Sequence, residues 1–222
     1  MGYVRSEIFY LISFVRMSQL LKHILFMTYG TIIPNLEING RPAPYGVVNE
    51  REIRAAAGLM FAIGFFTLLN TYHEQNLWLA FWVVLIFWLD FTCKVFIQPS
   101  FSLFGRIGAW LVHRQLPEYV GAIQKRFAWS IGWVMSGIVL VLISWQMFFI
   151  KLCTSSGIFE WAPPCFLPMF LCAICLLFMW LESAVGFCVG CVLYSGLVKR
   201  GILKQEEHAP ACPGGVCEIR RS

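Results

Sequence analysis

Between Trp161 and Leu197 the chain runs for 37 residues with one charged side chain, Glu182. A lipid bilayer is the solvent in which such a stretch is stable. As one straight helix it would span ~55 Å at ~1.5 Å per residue, against a hydrocarbon core of ~30 Å. It is too long for one straight crossing and too short for two comfortable ones. One span from about Cys165 to Val185 is expected, followed by a break or bend near Gly186 and Gly190 and a second piece at the interface.

Three more stretches read the same way. Glu50 to Arg54 is a charged entry to an uncharged span, Ala55 to Thr71. Leu77 to Ile97 is a second span, with Asp90 and Lys94 toward its end, and Phe127 to Ile150 is a third, uncharged throughout. Only 13% of the residues are charged and 59% are apolar, where a soluble domain carries about 25% charged residues. The expected fold class is an all-α membrane protein. It is a four-transmembrane-helix bundle with an N-terminal amphipathic surface helix and a flexible, cysteine-containing C-terminal tail.

The chain divides into an N-terminal segment and linker (1–47), a four-span membrane domain (48–198) and a tail (199–222). Ser6 to Thr31 places Ser6, Ser13, Arg16, Gln19, Lys22 and His23 at roughly helical spacing among apolar residues, the pattern of a helix lying on the membrane surface. The same charges, and the lack of a small-residue cleavage site after them, argue against a secretory signal peptide. Asn35 to Asn49 reads as a linker without regular elements, and Phe101 to Leu116 as a surface helix ended by Pro117.

Basic residues cluster before the first span, between the second and third (Arg106, Arg114, Lys125, Arg126) and after the fourth (Lys199, Arg200, Lys204), while the opposite loops hold only Lys151. The positive-inside rule then puts both termini in the cytoplasm. The net charge of +5 is this loop signal. The partner it implies is the bilayer, and no nucleic acid is expected.

The chemistry-capable residues are the cysteines, nine in all; an odd count leaves at least one outside a disulfide framework. Cys188 and Cys191, flanked by Gly186 and Gly190, lie where the last span should meet water. At i and i+3 two thiols can share a metal, pass a sulfur atom or, with adjustment, form a disulfide, and Cys-x-x-Cys spacing favours an available thiolate. Cys172 and Cys175 repeat the spacing inside the span, where packing is the expected role. On an unbroken helix they share the face of Glu182, opposite Cys188 and Cys191, so a relay down one face requires a break. Glu182 is either a functional intramembrane carboxylate or a solvated one near the interface. Asp90 and Lys94, at i and i+4, are expected to form a structural pair. In the tail, Cys212 and Cys217 flank a Pro-Gly-Gly turn that would let them meet, and thirteen residues from Lys199 extend at most ~43–47 Å, enough to reach back to Cys191. No histidine pair has metal-ligand spacing and no nucleotide or phosphate-loop fingerprint is present, so no cofactor is expected.

The blocks Val48-Asn49-Glu50 with Arg54-Ala55-Ala56-Ala57-Gly58, Asp90-Phe91, Pro99-Ser100, Lys125-Arg126-Phe127-Ala128-Trp129 with Gly132, Leu181-Glu182, and Gly186-Phe187-Cys188-Val189-Gly190-Cys191 with Tyr194 give the chain its resemblance. It resembles a family of bacterial inner-membrane proteins known as domain of unknown function 4395, over roughly Val48 to Val198. The resemblance implies four spans in an inner membrane and an association with sulfurtransferase-like and thioredoxin-like proteins.

The function expected is a membrane thiol or sulfur-relay protein. Cys188 and Cys191 would take and release a persulfide, or exchange disulfides with a cytoplasmic partner. Cys212 and Cys217 would form a resolving pair, and Glu182 would accept a proton. The alternatives are a soft-metal carrier using Cys188 and Cys191 for Cu(I), Zn(II) or mercuric ions, and a structural or assembly subunit whose cysteines only pack. A quinone-linked disulfide oxidase, also four-span with a Cys-x-x-Cys, is disfavoured. Such enzymes hold the reactive pair on the oxidising side, and the charge distribution puts this pair on the cytoplasmic one.

Overall fold

The computed structural model describes residues 29–34, 36–38, 41–42, 45–74, 77–148 and 163–202. Most of the Ser6–Thr31 segment lies outside them, as do Cys212 and Cys217.

Short strands β1 (Glu37–Ile38) and β2 (Arg41–Pro42) pair antiparallel, and β3 (Val47–Asn49) leads into helix α1 (Glu50–Glu74). Helix α2 (Leu77–Thr92) is prolonged by a π-helical turn, Cys93–Ile97. After a 3₁₀ turn comes α3 (Leu103–Leu111), then β4 (Tyr119–Gly121) and α4 (Ala122–Phe148). Helix α5 (Pro163–Trp180) ends in a second π-helical turn, Leu181–Val185, and α6 (Val189–Lys199) closes the described chain. Among the described residues four helices are long and apolar enough to cross a membrane: Glu50–Glu74, Leu77–Ile97, Ala122–Met147 and Leu167–Val185. Phe66, Trp82, Val141 and Leu177 are exposed on them, as lipid-facing side chains are. The chain is an all-α, four-span membrane bundle.

Two features correct the sequence reading. The linker before the first span contains strands. Strand β3 pairs antiparallel with β4, Val47 opposite Gly121 and Asn49 opposite Tyr119; Thr31 also bridges to Val47. The expected surface helix over Phe101–Leu116 is shorter, because Ser102 caps it at the start by accepting from Gly105 N–H at 2.9 Å and it ends at Leu111. The β3–β4 pair decides the rest of the site. The residue after each strand opens a helix, so the ladder holds the starts of α1 and α4 side by side, Glu50 next to Asn49 and Lys125 one turn beyond Gly121.

The expected Asp90–Lys94 pair forms at 2.7 Å, with side chains 1% and 6% exposed. Asp90 also accepts hydrogen bonds from Ser102 Oγ (2.7 Å) and Phe104 N–H (3.1 Å). One carboxylate thereby neutralises a buried ammonium and pins the start of α3 to the end of α2. Lys94 lies against the rings of Phe91 and Trp129, 5.4 and 5.9 Å to the centroids. Met60, Phe87, Phe91, Phe104 and Trp129 form the core around it. A second cluster, Ala80, Val84, Val139 and Ile143, packs nearer the other end of the bundle.

Candidate functional site

The last apolar stretch breaks where its glycine allows. Gly186 has φ +73°, in the left-handed region, which a side-chain-bearing residue adopts only at a cost. A Cβ there would also stand 3.1 Å from the Arg54 guanidinium, which reaches over the turn to Ser183 O at 3.4 Å. Two residues later Cys188 caps α6: its Sγ accepts from Cys191 N–H at 3.2 Å. Of the two glycines expected to break the helix, Gly186 does so. Gly190 lies inside α6, where a Cβ would come within 2.5 Å of the backbone Cα of Ala128. Its bareness lets α6 lie tight on the first turns of α4.

Cys188 and Cys191 are joined as a disulfide, with Cα atoms 5.2 Å apart, inside the span a disulfide accepts. Their expected closeness to water is corrected: the residues are 7% and 3% exposed, covered by Ala128 and the tight α4–α6 contact. In the reduced state the N-terminus of α6 would stabilise negative charge on the Cys188 sulfur.

Glu182, in the π-helical turn before the break, is paired. Lys125 Nζ donates to its Oε1 at 2.8 Å. Lys125 is 1% exposed and Glu182 17%, so a half-buried carboxylate faces a buried counter-ion. Glu50, 2% exposed, lies within electrostatic range of Lys125, Arg54, Glu118 and Glu182. The sequence reading gave Lys125, Arg54 and Glu50 no role at the site. The signal was a lone acid in an apolar stretch, which requires a buried base as partner. Which base is in reach depends on tertiary packing: the turn holding Glu182 packs against α1, and the β3–β4 ladder sets the start of α4 beside it.

Above this cluster the four spans line a partly open cavity of about 170 Å³, with Glu182, Cys188, Val189 and Gly190 at one end and Leu77, Gln146 and Pro168 at the other. Cys172 and Cys175 line it as well and carry no disulfide. The helix break thus brings residues of both inner cysteine pairs onto one cavity, which a continuous helix would forbid. Cys93 is the third described cysteine outside a disulfide. Among the described residues no group of three or more His, Cys, Asp or Glu side chains could hold a metal ion. As a soft-metal site, Cys188 and Cys191 would therefore offer two sulfurs without a third described ligand.

The blocks Val48–Gly58, Lys125–Gly132, Leu181–Glu182 and Gly186–Tyr194, distant in sequence, converge on this end of the bundle. The profile of the family described as Domain of unknown function (DUF4395) matches residues 48–199. The chain belongs to this family. The DUF4395 region takes in all four spans and α6, and with them the disulfide, the ion pair and the cavity. Neither the comparison with curated proteins nor that with solved structures gives a match.

Proposed function

We propose that the protein is a membrane thiol or sulfur-relay protein acting at Cys188 and Cys191. The observation that carries this reading is a disulfide at the N-terminus of a helix, six residues past the part-buried Glu182 that pairs with Lys125. A thiolate or persulfide of a partner attacks one sulfur of the disulfide. A mixed disulfide or trisulfide forms, the other cysteine leaves as thiolate, and a second thiolate resolves the intermediate. Glu182, held by Lys125, is the nearby group able to take and return a proton. The donor or acceptor is a sulfurtransferase-like or thioredoxin-like protein on the cytoplasmic side of an inner membrane, and Cys212 and Cys217 of the tail form the resolving pair. Because α4 covers both sulfurs, exchange with a protein requires α6 to swing from α4, and the left-handed Gly186 is the joint at which it turns.

Mass spectrometry of cysteine states in the purified full-length protein, with and without thiosulfate, tests the reading. A persulfide or mixed disulfide on Cys188 or Cys191, absent from Cys188→Ser, is the expected result. Cysteines that stay unmodified with every donor leave only the packing role.

A further inference from the structure

We infer that the intramembrane cavity is the binding site of a lipid-soluble quinone, to which the Cys188/Cys191 dithiol passes two electrons and two protons. This rests on the reading of Cys188 and Cys191 as a redox-active pair.

The occupant follows from three properties of the cavity. The first is its solvent. The lining is mostly apolar: the hydroxyls of Thr67 and Ser136 are turned onto carbonyls of their own helices, at 2.8 Å to Ile63 O and 2.7 Å to Gly132 O, and Thr71 Oγ1 is buried without a partner. Few polar groups face a ligand, so the guest is a molecule that lives in the bilayer. The second is its size. About 170 Å³ compares with the cavity of about 150 Å³ that binds benzene, so one six-membered ring fits, flanked by Phe91 and Trp129. The third is its end wall. Cys188 and Glu182 line it, so a ring in the cavity meets a cysteine that the outer surface hides, beside a proton-carrying group. A ring-sized, apolar molecule that exchanges two electrons and two protons is a quinone.

The step balances. Two S–H bonds break and one S–S bond forms. The electron pair and the two protons go to the two quinone carbonyl oxygens, giving the hydroquinone. Glu182 relays the proton of Cys188. The sequence disfavoured quinone-linked oxidases on sidedness alone, but the cavity lies between the spans, and electrons reach the ring from whichever face supplies the thiols. The cytoplasmic partner thiols of the relay would reduce the disulfide, and the bilayer quinone would restore it.

The test uses full-length protein in detergent, reduced with dithiothreitol, freed of it without oxygen and mixed with decylubiquinone. One hydroquinone per protein is expected, with return of the Cys188–Cys191 disulfide and no transfer in Cys188→Ser. Cys175→Phe, which fills the cavity, should raise the half-saturating quinone concentration at least about tenfold. Gly196→Ala, on an open face of α6, should leave transfer unchanged. A dithiol that forms and reoxidises with small disulfides but yields no hydroquinone overturns the quinone site and leaves the relay standing. A disulfide that no reductant opens in the folded protein overturns both. Should Cys175→Phe fail to fold, binding is read on the unmodified protein as saturable quenching of Trp129 fluorescence, taken as the difference from Trp129→Phe. Absence of that quenching also overturns the site.

Discussion

Lys125 and Glu182 meet at 2.8 Å across 57 residues of sequence, and they are unequally covered, 1% against 17% exposed. A buried charge that loses its partner is the costly case, about 3–5 kcal/mol. Glu182→Gln takes the hydrogen-bonded anion from a buried ammonium and leaves it only Glu50 within electrostatic range, while Lys125→Met leaves a carboxylate that can turn toward the interface. The glutamine variant should therefore lose more thermal stability in detergent than the methionine variant. Equal losses would mean that Glu50 takes over as the partner of Lys125.

The Asp90 cluster makes a similar prediction with a different ranking. Asp90→Asn keeps an oxygen for Ser102 Oγ and Phe104 N–H but removes the charge facing Lys94, and about 3–5 kcal/mol is expected. Ser102→Ala removes the cap of α3 and one donor, at about 1–2 kcal/mol. Since both touch one carboxylate, the double variant should lose less than the sum. Additive losses in thermal unfolding would show that the two contacts act independently.

Much of this architecture is legible in residues alone, and the reason is physical. Uncharged runs such as Phe127–Ile150 have only one stable environment, and Asp90 with Lys94 at i and i+4 needs no tertiary information to be paired. The helix break was readable from an apolar stretch longer than a bilayer. What a single sequence conceals is contact across the bundle. That Lys125 answers Glu182 depends on a three-residue strand pair, Val47–Asn49 with Tyr119–Gly121, too short to show periodicity. That Cys191 is buried depends on Gly190 fitting Ala128. The cavity depends on four helices at once, and its cysteines Cys172 and Cys175 carry no local sign of lining one.

Two glycines of α6 should respond oppositely to one added methyl. At Gly196 a Cβ meets nothing within 4 Å, so Gly196→Ala should stabilise by up to about 1 kcal/mol through helix propensity. At Gly190 it would meet the Ala128 backbone, and Gly190→Ala should cost about 1–3 kcal/mol from overpacking. It should also lift α6, so that the disulfide is reduced faster by dithiothreitol. Unchanged reduction kinetics in Gly190→Ala would mean that the α4 contact does not shield the sulfurs.

Tyr29 supplies a pH dependence. Its hydroxyl donates to Lys94 O, and its ring lies 4.6 Å from the Arg126 guanidinium. Burial pushes the hydroxyl above its ordinary value of 10.0, with Arg126 opposing. The folded state then holds the proton more tightly than the unfolded one. The contribution is complete below about pH 10 and is lost as pH rises above it. Tyr29→Phe should cost about 0.5–1.5 kcal/mol at neutral pH and flatten the loss on the alkaline side. Thermal midpoints taken from neutral to alkaline pH for both proteins give the comparison; parallel curves would assign the alkaline loss to other groups.

The order in which the thiols react follows from where they lie. Cys212 and Cys217, in a polar tail, should react first with a membrane-impermeant reagent in inverted vesicles, given the cytoplasmic orientation proposed for the termini. Cys188 and Cys191 should react only after reduction, and more slowly, because they are 7% and 3% exposed. Cys172 and Cys175 should resist until the protein is denatured. They line a mostly apolar cavity between the spans, which a charged reagent does not enter. The decisive residue is Cys175, which lines the cavity without belonging to the disulfide. If an impermeant reagent modifies it rapidly in the folded protein, the cavity is water-filled and open to one face, and a polar substrate displaces the quinone as its occupant. If Cys175 stays silent while Cys188 becomes reactive on reduction, the two ends of the cavity differ as the fold requires: a dry interior closed by a redox-active wall.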